Sequence, residues 1–388
     1  MGGATPRPGV AGVVCLYYGL DGKNGSPEGH IPMPFVASRQ SWTAPPATRA
    51  RVIAHRGASA SRPEHTLAAY GRAIDDGADF IEPDLVMTRD GVMVARHESE
   101  LGCTTDVAAH PEFAGRRAAR VIDGVAVSGW FTEDFTLAEL KTLRVRERFP
   151  RWRGTQCDGA FPLPTLEEII EFVAAAAAAC GRQVGIAPEI KHGTYFRRLG
   201  LQMEDRLLAT LDAHGYTRAA PVWIQSFEVG NLEYLRGRLA AGGRDNIRLL
   251  QLLGAGAQQP YDIAAAGGTL DYARMATPAG LRGIATYADA VGTQVRSVVP
   301  LTASGTLAAP SALVDDAHAA GLQVHAYTFR PENAFLPRAL WLGDDPATFN
   351  EAGSIAEIRA CLDAGIDALF TDAPAVGREA VDRGGAAR

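Results

Sequence analysis

From Arg51 onward, short apolar runs alternate with stretches whose apolar residues recur three and four positions apart. "RVIAH" predicts a buried strand, and "HTLAAYGRAIDDG" predicts a helix that ends at Gly77. "DFIEPDLVM" predicts a second strand, and "VMVARH", after the turn "RDG", predicts a short strand or a strand extension. The helical period returns in "LPTLEEIIEFVAAAAAAC", "MEDRLLATLDAHG", "VGNLEYLRGRL", "AGLRGIATYADAV", "PSALVDDAHAAG" and "SIAEIRACLDAG". Between and after these lie the predicted strands "QVGIAPEIK", "PVWIQSF", "NIRLLQLL", "QVRSVV", "LQVHAYTF" and "IDALFTD". The main strands therefore start near residues 52, 80, 184, 222, 247, 295, 322 and 367. Eight strands alternating with helices predict an α/β fold of the (β/α)8 TIM-barrel type. A doubly wound open sheet is the alternative. The eight repeats, and the lack of a GxGxxG after the first strand, count against it.

Residues 101–162 break this rhythm. They mix polar and apolar residues without a period, carry positive charge in "RRAAR" and "RERFPRWRG", and contain one short predicted helix, "TLAELKTL". They read as an insertion after the second strand region. Residues 1–50, rich in Gly, Pro and Ser from residue 20, read as a flexible leader, with the ordered domain over 51–388. The apolar stretch "VAGVVCLYYGL" has only a weak charged flank, Arg7, and no clear cleavage site after it, which leaves cytoplasmic and periplasmic or secreted locations both open.

Composition adds limits. Of 388 residues 47% are hydrophobic, enough for a large core. A net charge of -6 gives no electrostatic reason to expect nucleic acid or an anionic membrane as partner. The five cysteines are dispersed and form no CxxC, so neither a zinc cluster nor a dense disulfide framework is expected. No apolar run approaches the roughly 18 residues of a membrane span, so no integral membrane association is expected.

In a parallel barrel the C-terminal ends of the strands face the active site. Here those ends are polar: His55-Arg56, Glu82 with Asp84, His97, Glu189 with Lys191, Gln225-Ser226-Phe227, His325 with Tyr327-Thr328, and Thr371-Asp372. Glu82 and Asp84 are two residues apart and so share one face of a strand. With Glu189 they offer three oxygen ligands for one hard divalent cation, Ca²⁺ or Mg²⁺; the alternative is acids paired to Lys191 and Arg56. His55 and His97 are the candidate proton carriers. Arg56 suits a phosphate, or an ion pair with Glu82 or Glu64. Phe227, Tyr327 and Trp341 are candidates for an alcohol pocket, or for the core. His325 and Asp372 are candidates for a supporting role, and His192 is assigned none.

"HRGASASRPEHT", "FIEPDLVMTRDGVMVARHESELGCTTDV", "PEIK", "VHAYTFR" and "LFTDAP" resemble the successive motifs of glycerophosphodiester phosphodiesterases, most closely the branch of the bacterial periplasmic enzymes. The resemblance runs from about Arg51 to Asp372. It implies a (β/α)8 barrel with an insertion after the second strand region. It implies that His55 and His97 are the acid/base pair, and that Glu82, Asp84 and Glu189 hold the metal. Arg56 would contact the phosphate, Lys191 would lie near it or near the metal carboxylates, and Glu64 would support the first loop. The implied reaction is hydrolysis of a small glycerophosphodiester, such as glycerophosphocholine or glycerophosphoethanolamine, to glycerol 3-phosphate and an alcohol. Glu98 stands where many relatives have Asp, and Cys103 where many have Arg. A lipid phosphodiester substrate, and a catalytically silent binding barrel, are the alternatives.

Overall fold

A computed structural model describes residues 49–385; the leader expected over 1–50 lies outside the described residues except for its last two. Eight parallel strand positions close into a barrel. The first strand, Arg51–His55, pairs with Phe80–Glu82 on one side and with the last strand, Ala368–Thr371, on the other. Round the ring follow Gly185–Ile186, Val222–Ser226, Ile247–Leu252, Ala290–Gln294 and Gln323–Phe329, each parallel to its neighbour. Helices alternate with the strands, as the sequence predicts.

Two strands are broken by proline, which has no N–H to give to a ladder. The second stops at Pro83 and resumes as Asp84–Met87; the third stops before Pro188 and resumes as Glu189–Ile190. The resumed pieces pair with each other. The two proline carbonyls stay in use, accepting from Glu189 N and Gln225 N, both at 2.9 Å. Met93–Ala95 then pairs antiparallel to Asp84–Met87 and brings His97 back to the mouth.

The sixth strand is displaced from its expected position. "QVRSVV" is not a strand: Val295–Val298 is one helical turn, with Val295, Val298 and Val299 buried and Ser297 exposed. The strand is Ala290–Gln294, which begins in the residues expected to end the preceding helix; that helix is Pro278–Ile284. Its apolar signature is weak because Leu252 of the neighbouring strand fills the space above Gly292. A Cβ on Gly292 would lie 2.4 Å from Leu252 Cδ2.

The insertion contains the expected helical turn, Leu137–Leu140, with Thr136 and Glu139 forming a capping box. It also contains a hairpin that the expected elements did not include, Ala118–Ile122 against Val125–Gly129. The hairpin turns at Asp123-Gly124, with φ of 48° and 80°, the left-handed geometry that tight hairpins favour.

Strand residues alternate between two cores. Val52 and Ala54 pack outward against the helices, while Ile53 faces inward with Phe80, Trp223, Leu250, Leu252 and Phe370. Among the described residues, no helix is long and apolar enough to cross a membrane.

His325 lies inside the barrel rather than in the mouth. Its ring is 4.8 Å from that of Trp223 and 6.4 Å from that of Phe370, and its Nε2 is 3.3 Å from Gln323 Oε1. Burial, with Arg248 adding to it, lowers its pKa to about 3. The folded state therefore binds fewer protons at His325 than the unfolded chain, so this stability is present above the unfolded pKa and is lost as pH falls toward 3. Between pH 7 and pH 5 the loss is on the order of 2 kcal/mol. Urea unfolding of His325→Phe should fall off by about that much less over this interval than wild type. An unchanged pH slope would show that His325 is not the titrating group.

Candidate active site

The first loop sets the geometry of the mouth. Arg56 has φ of 59° and Gly57 has φ of 87°. A Cβ on Gly57 would sit 2.7 Å from Ala69, so the "HRG" turn needs glycine there to reach helix Leu67–Asp75. Two hydrogen bonds and one ion pair hold Arg56 in its uncommon conformation. Its backbone N donates to Glu82 Oε2 at 2.8 Å, its Nη1 donates to Glu64 Oε2 at 3.1 Å, and its Nε lies 3.1 Å from Asp84 Oδ2.

Glu82, Asp84 and Glu189 meet at the strand breaks. Each offers one ligand oxygen, and these atoms lie within 4.8 Å of one another. All three residues are buried. Lys191 Nζ stands 3.2 Å from Asp84 Oδ1 and 2.6 Å from Glu189 Oε1. Gln225 Nε2 donates to Glu82 Oε1 at 3.0 Å. His65, which the sequence reading did not single out, is 3.0 Å from Asp84 Oδ2 through Nε2 and 2.9 Å from Tyr70 Oη through Nδ1.

The charges at this cluster do not balance locally. Burial pushes Asp84 up, but Lys191 and Arg56 outweigh it and hold the carboxyl well below its usual range. Glu82 goes the other way: burial, then the charges of Asp84 and Glu189, raise it well above the carboxylate range. Burial also pushes Glu189 up, to about 8, against the pull of Lys191. Two of three clustered carboxyls thus resist ionisation until more positive charge arrives. An all-oxygen donor set of this kind fits a hard divalent cation.

The two histidines are built alike. His55 Nδ1 is 2.6 Å from Asp372 Oδ1, and His97 Nδ1 is 2.6 Å from Glu98 Oε1. Among the described residues, neither Nε2 takes a hydrogen bond. Burial, then Arg56, lowers His55 to about 4. Burial, then Arg56 and Lys191, lowers His97 to about 3. Both are neutral at pH 7. The carboxylate on Nδ1 fixes the tautomer, so each Nε2 presents a lone pair.

Phe227 lies beside this cluster, with Lys191 Nζ 5.6 Å from its ring centre and Tyr327 6.2 Å away edge-on. The Tyr327 hydroxyl donates to Leu253 O at 2.7 Å. Trp341 is not brought to the cluster; its Nε1 donates to Leu336 O at 3.0 Å and Arg338 stacks on its ring. His192 pairs with Asp123 of the hairpin at 2.6 Å.

The sequence reading also passed over Arg148 and Arg153, whose guanidinium groups reach Glu98 and Asp372. The only signal for them is the charge run "RERFPRWRG", noted as charge and not as chemistry.

Known proteins share this constellation's scaffold. Residues 55–376 match the Glycerophosphoryl diester phosphodiesterase family. A glycerophosphodiester phosphodiesterase of Arabidopsis thaliana is 35% identical over 82% of this chain and 82% of its own. The enzyme of that name from Haemophilus influenzae is 31% identical over 62% of this chain and 68% of its own. Solved structures agree in fold. A Silicibacter pomeroyi protein superposes with a TM-score of 0.59 at 20% identity, covering 87% of this chain and 96% of its own. An Oleispira antarctica phosphodiesterase, solved in complex with the product sn-glycerol-3-phosphate, superposes with a TM-score of 0.51 at 20% identity, covering 86% and 97%. With the family matched across nearly the whole barrel and its named relatives spanned over most of their length, the chain belongs to the Glycerophosphoryl diester phosphodiesterase family and is a phosphodiesterase of that class.

Proposed function

We propose that the protein hydrolyses small glycerophosphodiesters, glycerophosphocholine and glycerophosphoethanolamine among them, to glycerol 3-phosphate and an alcohol. His55 and His97 move the protons, and one divalent cation, Ca²⁺ or Mg²⁺, sits on Glu82, Asp84 and Glu189. One observation carries this reading: two neutral histidines, each backed by a carboxylate, stand at a mouth where buried acids and two buried cations converge.

Arg56 and Lys191 supply permanent positive charge for the phosphate oxygens. Both now lean on carboxylates, and a phosphodiester offers them oxygens in their place. The cation, when bound, supplies Lewis-acid stabilisation of the phosphate charge. One histidine Nε2 accepts the proton of the nucleophile, either water or the neighbouring glycerol hydroxyl. The resulting imidazolium is stabilised by the carboxylate on its Nδ1. The other histidine carries a proton to the leaving alcohol oxygen. Its depressed pKa rises when the anionic phosphate arrives beside it, which gives it a proton to deliver. Phe227 and Tyr327 line the side on which the alcohol leaves.

Turnover of glycerophosphocholine, followed by release of glycerol 3-phosphate, tests both halves. His55→Ala and His97→Ala should each lower kcat by roughly 10²–10⁴-fold while the thermal transition remains cooperative. Near-normal turnover in either variant would remove that residue from proton transfer. Exhaustive chelation should abolish turnover, and one of Ca²⁺ or Mg²⁺ should restore it. Glu189→Gln should weaken binding of that ion in a calorimetric titration. Full activity in protein shown by elemental analysis to be metal-free would overturn the cation assignment.

A further inference from the structure

Two arginines five residues apart in the insertion each grip the carboxylate that grips a histidine. Arg148 meets Glu98 with both terminal nitrogens, Nη1 to Oε1 at 2.9 Å and Nη2 to Oε2 at 2.7 Å. Glu98 Oε1 is the atom that holds His97 Nδ1. Arg153 Nη2 donates to Asp372 Oδ2 at 2.7 Å, an oxygen that Arg330 Nε also reaches at 3.0 Å, and the other oxygen of Asp372 holds His55 Nδ1. The two chains of contact, His97–Glu98–Arg148 and His55–Asp372–Arg153, end on one short segment.

That segment is itself fixed. Arg148 also donates to both oxygens of Glu64, at 2.6 Å each, and Arg153 donates to Glu332 Oε1 at 2.7 Å and to Ser59 O at 2.9 Å. Pro150 opens a helical turn, Pro150–Arg153, that Gly154 ends with φ of 72°. Phe149 and Trp152 pack on Phe335, with ring centres 5.5 and 4.9 Å apart, and Arg153 stacks on Phe149 at 5.0 Å. The side chains of Arg148 and Arg153 are only 10% and 5% exposed.

Stability alone explains this poorly. Buried ion pairs are often no more stabilising than apolar residues of the same volume, because removing the charges from water offsets their attraction. What such a clamp does provide is orientation. A carboxylate bound only to an imidazole can still rotate about its own side-chain bonds. One whose second oxygen is held by a planar guanidinium cannot, and the imidazole plane is fixed with it.

We propose that Arg148 and Arg153 are positioning residues for His97 and His55 respectively, so that the insertion completes the catalytic site. This rests on the proton-transfer reading of the two histidines. Arg148 reaches His97 through Glu98 and also braces Glu64, and Arg153 reaches His55 through Asp372, so each arginine variant should reproduce the leaving-group dependence of its own histidine and not of the other.

The test uses two substrates on the full chain: glycerophosphocholine and an aryl glycerophosphodiester with a nitrophenolate leaving group. Nitrophenolate needs no proton to depart, so the variant of the acid histidine recovers on the second substrate and the variant of the base histidine does not. Arg148→Gln should share the leaving-group dependence of His97→Ala, and Arg153→Gln that of His55→Ala. Each should lower kcat on glycerophosphocholine by about 10–100-fold, the scale of a displaced catalytic group, with KM of Arg153→Gln within about threefold of wild type. Arg148→Lys and Arg153→Lys keep the buried charge without the fork, so they serve where the Gln variants fail to fold, and should show the same pairing with a smaller loss. An arginine variant that loses equally on both substrates while its histidine variant does not, or that turns over normally, overturns the clamp alone. Normal turnover in the histidine variants themselves removes the underlying reading and the clamp with it.

Discussion

Three carboxylates buried side by side at the end of a barrel are the constraint that the surrounding structure answers. Like charges this close, out of water, cannot all ionise without compensation. Arg56 and Lys191 supply part of it, at 3.1 and 2.6 Å from the acids they face. The strands break at Pro83 and before Pro188, and Glu82, Asp84 and Glu189 flank those breaks, with one oxygen of each within 4.8 Å of the others. The residual imbalance, with Glu82 and Glu189 resisting ionisation while Asp84 does not, is what makes the site receptive to a further cation. The positive charges of the same cluster then depress both histidines, which keeps them neutral beside it.

Much of this is legible in the sequence, for a definite reason. His55, Glu82, Asp84, His97 and Glu189 are polar residues at the ends of otherwise apolar runs, and in a parallel barrel such positions face the mouth. The eight-strand alternation is legible because strands buried on both faces read as continuous apolar runs. The sixth strand is the exception. "AVGTQ" holds a glycine whose space Leu252 fills, so its burial lies in a neighbour, while the valines that follow keep helical spacing. His65 lies inside a motif read for its other residues, and only the folded loop brings its ring to Asp84. Asp372 is legible as a support at a strand end, but its partnership with His55 spans 317 residues.

Arg148 and Arg153 are illegible for a different reason. A run of arginines in an aperiodic insertion is usually a solvated surface, and nothing local marks these two as buried. Their acceptors lie 50 and 219 residues away. Phe149 and Trp152 dock on Phe335, far along the chain, and Arg153 pairs with Glu332 beside them, which hold the segment inward. The insertion therefore divides into two parts of different character. A hairpin with alternating exposure stands over the barrel, and a compact charged turn enters the site.

The bond between His55 and Asp372 lies at the end of the seam where the first strand meets the last. During synthesis the first strand emerges early, finds Phe80–Glu82 soon after, and waits for nearly the entire chain before its other partner, Ala368–Thr371, exists. Contacts of such long sequence separation form late and slowly. Until they form, His55 has no carboxylate on its Nδ1 and Asp372 no imidazole, so an incomplete chain carries the three clustered acids with one of the two carboxylate-backed histidines unassembled. The assembled His55–Asp372 pair is thus a marker of ring closure, completed by the last strand to be made.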